Sequence, residues 1–174
     1  MTNIIEVNYQ QTGESKKTNS FGMRDMQEKA FNSRNEKYLL LKAPPASGKS
    51  RALMFIALDK LYNQGIKKVI VAVPERSIGG SFGLTDLKKD GFFASWEPNP
   101  IYNLCMAGGE KSKVDAFKRF MQSDEKILIC THATLRFAFK ELDESNFDNC
   151  LLAIDEFHHV SADGDNQLGE LLRA

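Results

Sequence analysis

Cysteine is scarce in this chain: three residues, Cys105, Cys130 and Cys150, in 174. They are odd in number and widely spaced, and each adjoins or lies within an apolar run. That spacing argues against a disulfide framework and against a metal site, which would use closer pairs; buried thiols of a reducing, cytoplasmic compartment fit it. Net charge is lacking too, with 23 basic against 23 acidic side chains. No chain-wide field favours a polyanion, so any such site must be a local patch. The apolar runs are far too short to cross a membrane. The polar start, with Asn3 and Glu6, carries no secretory pattern. No internal repeat or low-complexity tract is present. What is there is an ordinary globular composition, 42% apolar and 26% charged, long enough for one domain with a sizeable core.

The organisation is regular. Ile5, Val7 and Tyr9 alternate as a short strand suited to a sheet edge, and Gln10 to Ser20 is a polar, aperiodic linker. Residues 1–20 thus read as an N-terminal strand and flexible segment, residues 21–174 as the domain. Met23 to Ser33 reads as a helix with Met23, Met26, Ala30 and Phe31 on one side. Short apolar runs recur at Tyr38–Leu41, Val69–Val73, Ile101–Met106, Ile127–Cys130 and Leu151–Ile154. Helix-like segments, Arg51–Asn63, Lys111–Met121 and His132–Leu142, fall between them. Strands alternating with helices predict an α/β fold with a mostly parallel sheet covered on both faces. Ligands gather at the carboxyl ends of such strands, and the unusual residues of this chain follow all five runs.

The most telling of these is Ala43 to Ser50, APPASGKS, between an apolar run and a helical pattern. A strand, a tight loop with Gly-Lys-Ser and then a helix is the context of a phosphate-binding loop. Backbone N–H groups at a helix start point outward and carry partial positive charge. Pro44 and Pro45 lack an N–H and stiffen the approach, so Ala46, Ser47, Gly48, Lys49 and Ser50 supply the donors. Gly48 allows close backbone approach, Lys49 reaches the β- and γ-phosphates, and the Ser50 hydroxyl ligates Mg2+. Leu151 to Glu156 is a buried-strand pattern ending in two acids. Asp155 is placed to hold Mg2+ and Glu156 to act as general base toward water. His158, close behind, is a candidate for sensing the γ-phosphate; His159 reads as an ordinary turn residue.

In these residues the chain resembles the first RecA-like motor domain of superfamily 2 helicases and translocases, of the DEAD/DEAH-box and restriction-subunit kind. APPASGKS is similar to their motif I, VAVPERS (Val71–Ser77) to motif Ia, AGG (Ala107–Gly109) to motif Ib and IDEFHH (Ile154–His159) to motif II. CTHATLR (Cys130–Arg136) resembles the threonine-containing motif after the fourth strand, and RDMQEKA (Arg24–Ala30) the adenine-contacting segment. The resemblance spans roughly Phe21 to His159. It implies a P-loop NTPase three-layer sandwich that uses ATP and Mg2+ to move along nucleic acid, with DNA ahead of RNA. Position by position, it implies adenine recognition by Gln27 and backbone contacts to a strand by Arg76, Gly108, Gly109 and Thr131. Such contacts grip phosphates without reading bases. Implied partners are a second RecA-like domain in cis and restriction- or methylase-type subunits, with no membrane. The chain ends before motif III and that second domain, so it reads as part of a longer protein, inactive or very slow alone. Two other readings stay open at this stage: a small P-loop kinase, and a non-catalytic RecA-like binding module.

Overall fold

The computed structural model describes residues 4–8, 19–105 and 109–157, with side chains placed from residue 19 onward except that of Glu110. The chain divides into two compact units, Met1–Gln64 with Leu84–Trp96, and Gly65–Gly83 with Glu97–Ala174.

In the first unit, strand β1 (Ile4–Asn8) and helix α1 (Asp25–Asn32) precede strand β2 (Tyr38–Lys42) and helix α2 (Lys49–Asn63). β1 runs parallel to β2 from the Ile4–Tyr38 pair to the Asn8–Lys42 pair, so the N-terminal strand expected from its alternation is present. Met23, Met26, Ala30 and Phe31 are buried on one side of α1, as their spacing requires. Phe31 meets Phe55 of α2 edge-on, and Phe92 packs against both rings at 5.7 and 4.7 Å between centroids. Phe92 arrives from the segment Leu84–Trp96. That segment is closed by reciprocal backbone bonds between Thr85 and Trp96 (2.9 and 3.0 Å). It is also tied to α2 by an Arg51–Asp90 ion pair of 2.6 Å.

In the second unit, β3 (Lys68–Val73), α3 (Glu110–Gln122), β4 (Ile127–Thr131), α4 (His132–Glu141) and β5 (Cys150–Ile154) form a three-stranded parallel sheet in the order β4-β3-β5. The unbroken burial of Val69 to Val73 is what a central parallel strand needs. Ile70, Ala72, Leu128 and Cys130 from the sheet and Phe117, Phe120, Leu135 and Ala138 from α3 and α4 make one core. Lys68 opens β3 with its Nζ donating to the carbonyls of Phe120, Ser123 and Glu125 (2.7–3.0 Å), which caps the end of α3. Burial lowers the pKa of this ammonium.

Several sequence expectations need correction. The α/β class and the parallel strands are as expected, while among the described residues the strands fall into two sheets, β1-β2 in the first unit and β4-β3-β5 in the second. The run Ile101–Met106 is not a strand. Pro100–Tyr102 is a single 3₁₀ turn, because the Asn99 side chain accepts from Ile101 N–H and Pro100 fixes the backbone of the first position. Only Asn103 then bridges to Ile129, while Met106 lies outside the described residues. Lys113 is buried. Cys105 and Cys130 are buried free thiols as expected, and Cys150 is half-buried.

Candidate functional site

Lys49 and Ser50 belong to the first unit, Asp155 and Glu156 to the second. In the first, the chain leaves β2 through Pro44 and Pro45 and turns sharply. Ala46 takes a left-handed φ of 60°, Gly48 one of 91°, and the Ser47 N–H donates to the Pro44 carbonyl at 3.3 Å. α2 starts at Lys49, so its first-turn N–H groups point out of the helix beside this loop. The N-cap residue, Gly48, has no side chain with which to cap that end. The Ser47 hydroxyl is buried and, among the described residues, has no hydrogen-bond partner, an unusual cost for a native side chain. A positive helix terminus, a left-handed turn and an orphaned hydroxyl together fit a polyphosphate.

Gln27 sits against this loop. Its carboxamide oxygen accepts from Arg24 N–H at 2.8 Å, and its NH2 group donates to the Gly48 carbonyl at 3.1 Å. Arg24 adds a contact from Nη1 to the Ala46 carbonyl at 3.3 Å. The side chain expected to face adenine is therefore fully buried and engaged with the phosphate loop. Gly48 is glycine for a second reason besides its φ: a Cβ there would lie 2.5 Å from Gln27 Nε2.

In the second unit, the three strand ends lie in register, with Val73 opposite Thr131 and Ala72 opposite Ile154. Asp155 and Glu156 are half-buried in the turn after β5, and Asp155 N–H donates to the Ala72 carbonyl at 2.8 Å. Glu156 has a φ of 52°, a left-handed conformation that a residue with a side chain rarely holds. Thr131, expected to touch a strand, is buried and caps α4, its hydroxyl accepting from Thr134 N–H at 3.2 Å. Directly beside it, His132 Nε2 lies 2.9 Å from the Asp155 carbonyl oxygen. A carbonyl can only accept, so Nε2 carries the proton. The motif containing His132 stood out in the sequence but only its threonine drew a role. Arg76 is exposed at the start of the 3₁₀ turn Arg76–Phe82, and Gly109 is exposed at the cap of α3. Gly109 has an ordinary φ and open space around its Cα, so no backbone demand makes it glycine. Gly108, His158 and His159 lie outside the described residues.

Among the described residues, no group of three or more His, Cys, Asp or Glu is placed to hold a metal ion. A groove of about 300 Å³ lined by Lys111, Val114, Asp115, Phe137 and Glu141 contains none of these site residues. No helix among the described residues is long and apolar enough to cross a membrane.

The sequence matches the DEAD/DEAH box helicase family over residues 24–174. It is 69% identical over all 174 residues to "Putative ATP-dependent helicase YeeB" of Bacillus subtilis (strain 168). The chain spans 29% of that relative's length. No solved structure matches the chain.

Proposed function

This chain belongs to the DEAD/DEAH box helicase family, and we propose that it is the ATP-binding half of a motor that hydrolyses ATP as it moves along nucleic acid in the cytoplasm. The observation that carries this reading is the left-handed turn at Ala46–Gly48 feeding the start of α2, whose N-cap is a glycine, with the buried Ser47 hydroxyl lacking a partner among the described residues. Such a turn is built for a polyanion, and the family makes that polyanion ATP.

Within this reading the first-turn N–H groups of α2 hold the phosphates, and Lys49 neutralises charge that builds on the γ-phosphoryl group during transfer. Ser50 and Asp155 are the groups that would hold Mg2+, which supplies charge neutralisation between the β- and γ-phosphates when bound. Glu156 orients the attacking water and accepts its proton. Gln27 fixes the loop through the Gly48 carbonyl, and an adenine contact would need its NH2 group to serve both. The start of α4, with Arg76 and Gly109, supplies donors to a nucleic-acid backbone, DNA in preference to RNA. His158 completes the motif as a sensor of the γ-phosphate. A second RecA-like domain and restriction-type partners would complete the machine, and residues 21–174 would form its first domain.

The test is ATP turnover by the full-length protein with and without single-stranded DNA or RNA. Stimulated turnover that disappears in Lys49→Ala supports the reading. Turnover retained in Lys49→Ala overturns the phosphate site, and stimulation by RNA alone overturns the DNA preference.

A further inference from the structure

Two elements with separate jobs end at the same carboxyl edge of the sheet: β4, which runs into the start of α4, and β5, which runs into Asp155-Glu156. They do not pair with each other, since β3 lies between them. Neighbouring strands are spaced at about 4.8 Å, so a link between β4 and β5 must cross roughly 10 Å over the end of β3. His132 makes that link, its Nε2–H donating to the Asp155 carbonyl at 2.9 Å.

The carbonyl it grips belongs to the peptide joining Asp155 to Glu156. The other side of Asp155 is fixed as well, its N–H donating to the Ala72 carbonyl at 2.8 Å. The next rotatable bond is the N–Cα bond of Glu156, held at a φ of 52°. A strained dihedral of this kind persists only when the surroundings over-determine it, and the His132 bond is a restraint of that sort, directly on the peptide that sets it. The other end of the restraint is the first residue of α4, immediately after the Thr131 cap. Any ligand that shifts the start of α4 pulls on the Glu156 backbone through one side chain.

We infer that His132 is a positioning residue that couples occupancy of the α4 N-terminus by a nucleic-acid backbone to the orientation of Glu156. This rests on the functional reading above, which makes α4 a strand contact and Glu156 the general base. The coupling runs through the donor at the Nε2 position, so a glutamine, whose Nε2 has similar reach, should serve in its place.

The experiment is steady-state ATP turnover by full-length wild type, His132→Ala and His132→Gln, each with and without saturating single-stranded DNA or RNA. In His132→Ala the ratio of stimulated to unstimulated kcat should fall about tenfold, the scale of a typical coupling between sites. The KM for ATP should stay within about threefold, because phosphate binding is untouched. His132→Gln should recover most of the ratio. An unchanged ratio in His132→Ala overturns the inference, as does a loss that His132→Gln fails to recover. A wild type that neither single-stranded DNA nor single-stranded RNA stimulates overturns the functional reading and takes this inference with it. A stimulated wild type with an equally stimulated His132→Ala removes this inference alone.

Discussion

At Gly48 two demands meet on one Cα. The φ of 91° disfavours any side chain, and Gln27 Nε2 occupies the space a Cβ would need. Gly48→Ala should therefore destabilise the protein by about 1–3 kcal/mol and displace Gln27 from the loop. Thermal unfolding and titration with a fluorescent ATP analogue would read both losses, and an unchanged Tm would refute the packing argument. Gly109→Ala, where nothing lies within 4 Å of the added carbon, is the matched control and should be silent in Tm. Glu156 presents the opposite case. Its left-handed φ costs on the order of 1–2 kcal/mol, which glycine would relieve at an entropic cost of about 0.5–1 kcal/mol. Glu156→Gly should stop hydrolysis, and its Tm reads how far the relieved strain offsets the contacts that the side chain gives up. A clear fall in Tm would mean that the Glu156 side chain contributes more to the fold than its backbone strain costs.

At the scale of elements, the segment Leu84–Trp96 carries a built-in acid sensitivity. The Asp86 carboxylate accepts from Lys89 N–H and the Ser95 hydroxyl, and these bonds, the Lys89 one first, lower its pKa from 3.8. A depressed folded-state value means stability that is present above the unfolded value and lost as the pH falls through the folded one. The gap in stability between wild type and Asp86→Asn should thus be constant near neutrality and close below about pH 4. The lone tryptophan, Trp96, is buried in this segment and reports the transition by fluorescence. A gap independent of pH would refute the role of the carboxylate. Elements of this kind also mark where the sequence was legible. Helix limits were readable to within a residue or two for α2, α3 and α4, because apolar spacing and local caps set them. At Ile101 an apolar, β-branched side chain suggests a strand, and the equally local Asn99-Pro100 turn signal overrides it. The bonds that shape the site join residues far apart in sequence, Gln27 to Gly48, Arg51 to Asp90 and His132 to Asp155, and no periodicity encodes such pairs. Lys49, Ser50, Asp155 and Glu156 were nameable because phosphate loops and strand-end acids are short; what orients them was not.

Taken as a whole, the chain has no net charge to attract a polyanion. Affinity for nucleic acid must then depend on which edge of the second-unit sheet a charge occupies. Arg76 follows β3 at its carboxyl edge, whereas Lys67 precedes it at the amino edge, and both are exposed. The α4 start, also at the carboxyl edge, offers N–H dipoles that bind phosphate but displace few counterions. Salt dependence should accordingly be shallow, and a single cation should account for a visible part of it. For single-stranded DNA, each neutralised phosphate contributes about 0.7 to the slope of log K against log salt. Arg76→Ala in the full-length protein should flatten that slope by about 0.7, while Lys67→Ala should leave it unchanged. Binding isotherms at several salt concentrations decide the matter. Equal changes in the two variants would mean that diffuse charge does the holding, and the assignment of the carboxyl edge as the strand groove would fall.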